Sequence, residues 1–480
     1  MRPHIPLKED AMGNSKNRKR KTKKHRKVDI SNLEQLNLNA AGIDIGAKLH
    51  YVAVPNGRDP EGQDVRHFAT FTADLHKLAD WLHQCKIDTV AMESTGVYWI
   101  PVFEILDSQG FDVRLVNPRN IKNAPGRKTD VLDCQWIQQL HTYGLLQSSF
   151  RPENQICELR AYLRQRAMLV SYASHHIQHM QKALEQMNIK LTQVISDITG
   201  VTGMKIIRAI ISGERNPVKL ASMRNARCNN SESIIAKALE GNWRSEHIFA
   251  LQQAVELYDF YKKQIIACEF HIQRHLESFD DRSNETPLEK PPRNSRGSSN
   301  KLNFDARRYL HRITGVDVTR IEGIEAPTAL NIIGEIGIDM SPWRTEKHFT
   351  SWLGLCPGSK ISGGKILSSK TKPSSNRAAH AFRLAAYSLQ RSKSAIGAFL
   401  RRKKAQIGAP KAITATAHKI ARIFYNMLKY GTEYVDLGQQ YYEQRYQERV
   451  VANLKRKAKQ FGFELVNIKE HELLTEVPTG

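Results

Sequence analysis

Two acidic residues in the segment 126–136 carry the first chemical signal in this sequence. Asp130 and Asp133 stand three residues apart, directly after Thr129, a residue type that commonly caps the start of a helix. In a helix that begins there, both carboxylates project from one face, where they repel each other unless a cation lies between them. Mg²⁺ prefers such oxygen ligands. An ordinary helix start, where the helix dipole favours acids, is the better explanation of the pair when it is taken alone.

Two more acids, Asp44 and Glu93, change this balance. Asp44 lies in the apolar segment 42–46, and Glu93 follows the apolar run 87–92. Each could simply cap a turn or a helix, but a carboxylate inside an apolar strand is costly unless it has a metal or another partner. Four carboxylates around two metal ions about 4 Å apart are suited to in-line displacement at phosphorus. The pattern therefore predicts a catalytic, metal-binding site that cuts nucleic acid.

The cofactor that this pattern predicts is Mg²⁺, two ions per site, which Mn²⁺ can replace. Arg127 and Lys128 precede Thr129 at the start of the predicted helix, where a phosphate chain can approach. We expect both to contact nucleic acid.

The charge balance indicates a polyanionic partner. The 480 residues contain 72 Lys and Arg against 48 Asp and Glu, which gives a net charge of +24. Nucleic acid is the first expectation and an anionic membrane surface the weaker one. No apolar run reaches the roughly 20 residues that cross a bilayer, and no signal peptide is evident. We expect a cytoplasmic, nucleoid-associated protein without membrane contact. The six cysteines form no C-x-x-C pair, which argues against a zinc site or a disulfide framework.

The first third of the chain has the element order of an α/β ribonuclease-H-like (RuvC-like) domain. A basic, disordered tail is expected over residues 1–38. In residues 39–150, three strands that can pair antiparallel are followed by alternating helices and strands, and the helix headed by Asp130 closes the domain. This order places Asp44 in the first strand and Glu93 at the end of the fourth. We expect all four acids to converge at one edge of the sheet.

The middle of the chain is predicted to be a helical coiled-coil region, residues 151–284. Apolar residues recur at heptad spacing over six heptads between positions 156 and 198, with Arg166 and Ala173 in two of the gaps. A second apolar stripe covers positions 251–279. The pattern leaves open whether the two helices pair within one chain or between chains. A Pro- and Ser-rich linker follows at 285–303.

The last part comprises a mostly α-helical domain at 304–435 and a helical tail at 436–480. Residues 321–337 have the glycines and apolar spacing of a helix-hairpin-helix-like segment. Residues 357–372 form a basic loop containing Ser362, which either binds phosphate or supplies a serine nucleophile. The candidate nucleic-acid contacts here are Lys360, Lys365, Lys370, Lys372, Arg377 and Arg383.

Several motifs together resemble one known family. They are residues 42–44, 93–98, 117–118, 128–133 and 353–357, with Ser362-Gly363 after them. This combination resembles the DEDD-type transposases of the insertion sequence one-ten family, the bridge-RNA-guided recombinases, and is most similar to the branch with subterminal inverted repeats. The resemblance covers residues 40–435.

The resemblance implies a RuvC-like domain in which Asp44, Glu93, Asp130 and Asp133 bind Mg²⁺. It also implies a coiled-coil dimerisation stalk and a C-terminal transposase domain whose catalytic serine falls on Ser362. The partners it implies are the element ends and the target DNA, a structured guide RNA encoded by the element, and further copies of the chain in a dimer or tetramer. In such an oligomer, the acids of one subunit meet the serine of another.

Our functional hypothesis is a site-specific transposase or recombinase that cuts and rejoins DNA through a phosphoserine intermediate with metal-assisted acids. The alternative is a RuvC-like, structure-specific endonuclease or junction resolvase, in which the metal activates water and Ser362 only binds phosphate. A nucleic-acid-binding protein with an inactive nuclease fold is a third hypothesis, against which the four intact acids argue.

Overall fold

The computed structural model describes residues 33–94, 96–117, 129–283, 288–289 and 301–466. Most of the predicted tail, most of the linker, and Arg127 and Lys128 lie outside the described residues. The chain divides into two compact units, Met1–Arg151 and Pro152–Gly480, and each has a hydrophobic core of its own. None of the described helices has both the length and the apolarity needed to cross a membrane.

The first unit contains a five-stranded sheet and three described helices. In chain order the elements are β1 (Ala40–Ile45), β2 (Leu49–Ala53), β3 (Val65–Ala69), α1 (Thr72–Gln84), β4 (Thr89–Glu93), α2 (Trp99–Ser108), β5 (Asp112–Val116) and α3 (Asp130–Thr142). The strand order is β3-β2-β1-β4-β5. The pairs β1–β2 and β2–β3 are antiparallel, whereas β1–β4 and β4–β5 are parallel. This mixed α/β sheet is consistent with the predicted ribonuclease-H-like domain.

The two faces of the sheet pack against different helices because side chains alternate along each strand. Ile43, Val52 and Met92 point to the face covered by α1 and α2, where they share a core with Leu78 and Leu106. The opposite face packs against α3 through a smaller cluster that contains Ala91, Val116 and Ile137. The second face therefore carries the alternate residues of β1 and β4, including both predicted acids.

The second unit begins with two long helices. The elements in chain order are α4 (Asn154–Gln186), α5 (Leu191–Val194), α6 (Val201–Ile211), α7 (Pro217–Ser222), α8 (Glu232–Ala238) and α9 (Ser245–Glu277). Helices α4 and α9 pair antiparallel within the chain, since Gln155 bonds to Ser278 near one end and Arg166 pairs with Glu269 further along.

The prediction that one helical heptad pattern continues over six heptads is wrong, because the helix ends earlier. Helix α4 ends at Gln186, and Asn188 adopts a φ of 57°, a left-handed conformation that interrupts the helix. The apolar residues beyond it, such as Ile189 and Leu191, are buried in a cluster with the short helices α5 to α8. The apolar residues after Gln186 are therefore buried in a compact cluster of short helices and do not belong to a continuing helix.

The rest of the second unit is mostly helical, as predicted. Its elements are α10 (Ala306–Thr314), a 3₁₀ helix (Val318–Arg320), α11 (Ala326–Ile336), α12 (Glu346–Trp352), β6 (Lys360–Ser362), β7 (Lys365–Ser368), α13 (Arg377–Ser388), a 3₁₀ helix (Leu389–Arg391), α14 (Ala395–Ile407), α15 (Ala409–Tyr430) and α16 (Gly438–Gln460). Phe349, Phe382, Phe424 and Tyr425 are fully buried and join α12, α13 and α15. In the segment predicted as helix-hairpin-helix-like, a turn at Gly323 precedes α11.

Candidate active site

Strand register brings Asp44 and Glu93 together at the sheet edge. Ile43 is paired with Met92 in the parallel β1–β4 ladder, so the next residues on the two strands are Asp44 and Glu93. Both strands end within two residues of these positions. Paired residues of parallel neighbours point to the same face, about 4.8 Å apart between strands. The two half-exposed carboxylates therefore lie side by side on the face that α3 covers.

Helix α3 begins at the same edge. The hydroxyl of Thr129 accepts a hydrogen bond from the Leu132 amide at 3.3 Å, which confirms the predicted cap. The helix runs antiparallel to β1: the Gln138 amide side chain donates to the Ala40 carbonyl at 3.3 Å, and Cys134 lies over Gly42. One helical turn from Cys134 to Asp130 covers about 6 Å, and two strand residues from Gly42 to Asp44 cover about 6.6 Å.

The carboxylates at this edge affect the pKa of the Cys134 thiol. Burial, together with the negative charges of Asp44 and Asp133, raises its pKa to about 12. The thiol therefore stays protonated, and its sulfur donates to the Val131 carbonyl at 3.1 Å. Because Cys134 lies over Gly42 and directly follows Asp133, the start of α3 and the end of β1 lie at the same edge of the sheet.

The four acids suit a hard cation by their chemistry, since every donor is a carboxylate oxygen. In the part of the chain that the structure describes, however, no three His, Cys, Asp or Glu side chains are arranged closely enough to hold a metal ion. Asp130 is exposed at the first position of α3, whereas Asp133 is half-exposed. The structure thus brings the acids to one edge without forming a closed coordination shell.

Two residues that the sequence reasoning missed extend this row of acids. Tyr51 of β2 is paired with Asp44, and His67 of β3 is paired with Tyr51. Their rings lie 5.8 Å apart, and they point to the same face as Asp44 because paired strand residues share a face. The signal that could have found them is the alternation of apolar and polar residues along segments 49–54 and 65–69.

Ser362 lies in a β-hairpin of the second unit, which was predicted as a flexible loop. It is the last residue of β6 and is paired with Lys365, the first residue of β7. Gly363 and Gly364 form the turn with φ of 53° and 75°, the positive values that a two-residue type I′ turn requires at both positions. The Gly-Gly pair was therefore a hairpin signal, and it places the Ser362 side chain on an exposed, defined turn.

The basic residues predicted to contact nucleic acid in this unit lie on the hairpin or follow it in the sequence. Lys360 and Lys365 are exposed on its two strands. Lys370 and Lys372 flank Thr371, which forms an isolated antiparallel β-bridge with Pro357. Helix α13 begins after Asn376, whose side chain accepts from the Ala379 amide at 3.0 Å. Its two arginines differ in exposure, Arg377 being exposed and Arg383 half-buried.

Two family models match the chain in separate regions. Residues 41–189 match the DEDD-type IS110 model, described as Transposase. Residues 317–401 match a model described as Transposase IS116/IS110/IS902 family. The chain is an IS110-family transposase. The first match contains the sheet and all four acids, and the second contains the hairpin with Ser362.

The transposase is therefore an enzyme of DNA transposition and recombination, and DNA is its partner. Its DEDD-type domain also indicates dependence on a divalent metal. No curated protein matches the chain.

Proposed function

We propose that this transposase cuts and rejoins DNA by forming a phosphoserine bond at Ser362, assisted by metal-binding acids at the sheet edge. The observation that supports the proposal is the strand register that makes Asp44 and Glu93 neighbours, together with the packing of α3 against β1 at Gly42. The carboxylates at the end of these parallel strands and at the start of α3 are exposed or half-exposed, so cations from solvent can reach them. Carboxylates placed in this way can bind the cations that phosphoryl transfer requires.

In the proposed reaction the Ser362 oxygen attacks the scissile phosphorus. The Oγ–P bond forms as the bond from phosphorus to the 3′ oxygen breaks, and the hydroxyl proton passes to the leaving 3′ oxygen. A 3′-hydroxyl of another strand then attacks the phosphoserine, which restores the serine hydroxyl and joins the new strands. The number of phosphodiester bonds is unchanged, so the exchange needs no external energy source.

The protein groups that would hold Mg²⁺ are Asp44, Glu93, Asp130 and Asp133, with two ions per site. Bound Mg²⁺, or Mn²⁺ in its place, supplies positive charge to the attacking and leaving oxygens. Tyr51 and His67 continue the same face of the sheet, where we propose that they contact the DNA strand beside the acids. Arg127, Lys128 and the cations around the hairpin would bind its phosphates.

We further propose that an element-encoded, structured RNA guides the transposase and that the active form is a homo-oligomer. The net charge of +24 gives the chain capacity for RNA as well as DNA. Purifying the full chain from cells that carry the whole element and sequencing its bound RNA tests the first point. Enrichment of one structured RNA from the flanks of the reading frame is expected, and only random cellular RNA would contradict guidance.

Covalent trapping tests the serine. We expect the parent protein, quenched in denaturant during cleavage of DNA with the element ends, to carry a covalent DNA adduct that Ser362→Ala lacks. Ser359→Ala is the matched control, because Ser359 is an exposed serine of the same segment outside the hairpin strands. Its adduct should be unchanged. Full cleavage by Ser362→Ala would refute the phosphoserine and favour the resolvase mechanism with a metal-activated water.

A further inference from the structure

A cavity in the second unit is lined by residues other than Ser362 and the basic residues around it. It has a volume of about 440 Å³ and is enclosed by α14, α15, α16 and the connecting residues 434–437. This volume is in the range of sites that hold small organic ligands. Its wall combines cationic and aromatic side chains, including Lys419, Tyr441, Tyr442 and Arg449.

Lys419 and Arg449 belong to this wall, and Arg402 contacts the same Phe399 and Tyr442 rings as Lys419. In the described part of the chain, no salt bridge reaches Lys419, Arg402 or Arg449. Burial lowers the pKa of Lys419, and the nearby charges of Arg449 and Arg402 lower it further than the charge of Asp436 raises it. Like charges held together in a half-buried place are unfavourable. An anion in the cavity would remove this repulsion.

Aromatic rings hold the cations in position. The Lys419 ammonium lies 5.0 Å from the centre of the Phe399 ring and 5.4 Å from that of Tyr442. The guanidinium of Arg402 lies 5.7 Å from both rings and donates to the Tyr442 hydroxyl at 2.7 Å. Such contacts stabilise a cation without neutralising its charge. The positive charge therefore stays available to a ligand.

The two acids of the cavity wall are already engaged. Asp436 accepts hydrogen bonds from the Ala395 amide at 3.0 Å and from the Tyr434 hydroxyl at 3.3 Å. Glu448 pairs with Arg445 at 3.2 Å. These contacts hold both carboxylates within the wall, and no salt bridge joins either of them to Lys419 or Arg449 among the described residues.

We propose that this cavity binds one unpaired nucleotide of a single-stranded nucleic acid, with its phosphate on Lys419 and Arg449 and its base stacked on Tyr441. Tyr441 offers an aromatic face, being 46% exposed at the cavity. Only an unpaired base presents a face for stacking, because the bases of a duplex stack on one another. The proposal rests on nucleic acid as the partner and is independent of the phosphoserine step.

The test is binding of a fluorescent oligothymidine to the full chain, measured by anisotropy beside a duplex of the same length. Tyr441→Ala should weaken single-strand binding by about 10-fold, in keeping with the loss of one stacked base. Tyr441→Phe keeps the ring and should bind like the parent. Arg449→Ala should also weaken binding, whereas Arg456→Ala, the same change at an exposed position of α16 outside the cavity, should alter it less than about twofold.

Duplex binding should not change in Tyr441→Ala. An oligomer with abasic positions should bind the parent and Tyr441→Ala equally, because neither complex then has a base on this ring. The proposal is overturned if Tyr441→Ala binds oligothymidine as tightly as the parent. It is also overturned if Arg449→Ala and Arg456→Ala lose the same affinity, which would indicate a surface that attracts phosphate without a defined site.

Discussion

Replacing Gly42 by alanine should separate the helix that carries two acids from the strand that carries a third. The added Cβ would lie 2.5 Å from the Cys134 carbonyl oxygen, 2.8 Å from the Gln138 Cα and closer still to the Gln138 nitrogen. All three are backbone atoms of α3, so no side-chain rotation relieves the clash. Ordinary contact begins at 3.4 Å. Helix α3 must therefore move away from β1 by about 1 Å.

The expected consequences differ in size for stability and for activity. Overpacking of this kind costs roughly 1–3 kcal/mol in the free energy of unfolding. A displacement of 1 Å between groups that act on one phosphate lowers the rate by about 100-fold. We therefore expect a folded Gly42→Ala protein whose DNA cleavage has largely disappeared.

Gly57→Ala provides the control for stability alone. Gly57 has a φ of 76° and no neighbouring atom within 4 Å of an added Cβ, so alanine there strains the backbone by roughly 1–2 kcal/mol without touching α3. Urea unfolding measures the stability of both variants, and cleavage of plasmid DNA carrying the element ends measures activity. Gly57→Ala should cut normally. If Gly42→Ala also cuts at the parent rate, the packing of α3 on β1 does not position the acids and the reasoning fails.

Two further predictions concern stability. Burial and the charge of Arg114 lower the pKa of His141 from 6.5 to about 4, so unfolded chains bind its proton more readily. Its contribution to stability is complete above pH 6.5 and falls by up to about 3 kcal/mol as the pH drops to 4. Urea unfolding at several pH values should show a smaller loss of stability between pH 6.5 and pH 4 in His141→Gln than in the parent. The same pH dependence in both proteins would refute the prediction. Glu269→Ala should lower the free energy of unfolding by about 3 kcal/mol because it removes the carboxylate that pairs with the mostly buried Arg166 guanidinium. The double variant with Arg166→Met should recover much of this loss, and equal stability of the single and double variants would contradict the buried pair.

The placement of Asp44, Glu93 and the start of α3 at one edge of the sheet could be predicted, because each part of that prediction depends on a local rule. Apolar runs marked β1 and β4, parallel pairing aligns strand ends, and Thr129 marks the start of α3 by its capping side chain. What the sequence did not reveal is how far the acids stand from a closed metal shell, since that depends on side-chain directions and on the exact approach of α3 to Gly42.

The hairpin and the proposed nucleotide-binding cavity were not predicted from the sequence, for two different reasons. The Gly363-Gly364 turn was a local signal that the density of lysines and serines obscured. The cavity had no local signal, because Lys419 and Tyr442 of its wall, and Arg402 beside them, come from three successive helices whose packing the sequence does not reveal. Only tertiary packing shows that these cations share the same two aromatic rings.

Arg166 shows how a break in a pattern can carry structural information. A charged residue in an apolar stripe weakens the heptad as a sequence signal, yet its guanidinium pairs with Glu269, whose other oxygen accepts from the Asn303 amide at 3.0 Å. A buried ion pair adds little net stability compared with apolar residues, but separating its partners is costly. Sliding α4 along α9 by one turn would separate them. We therefore conclude that this pair selects the antiparallel register of the two long helices, a choice that their apolar stripes leave open.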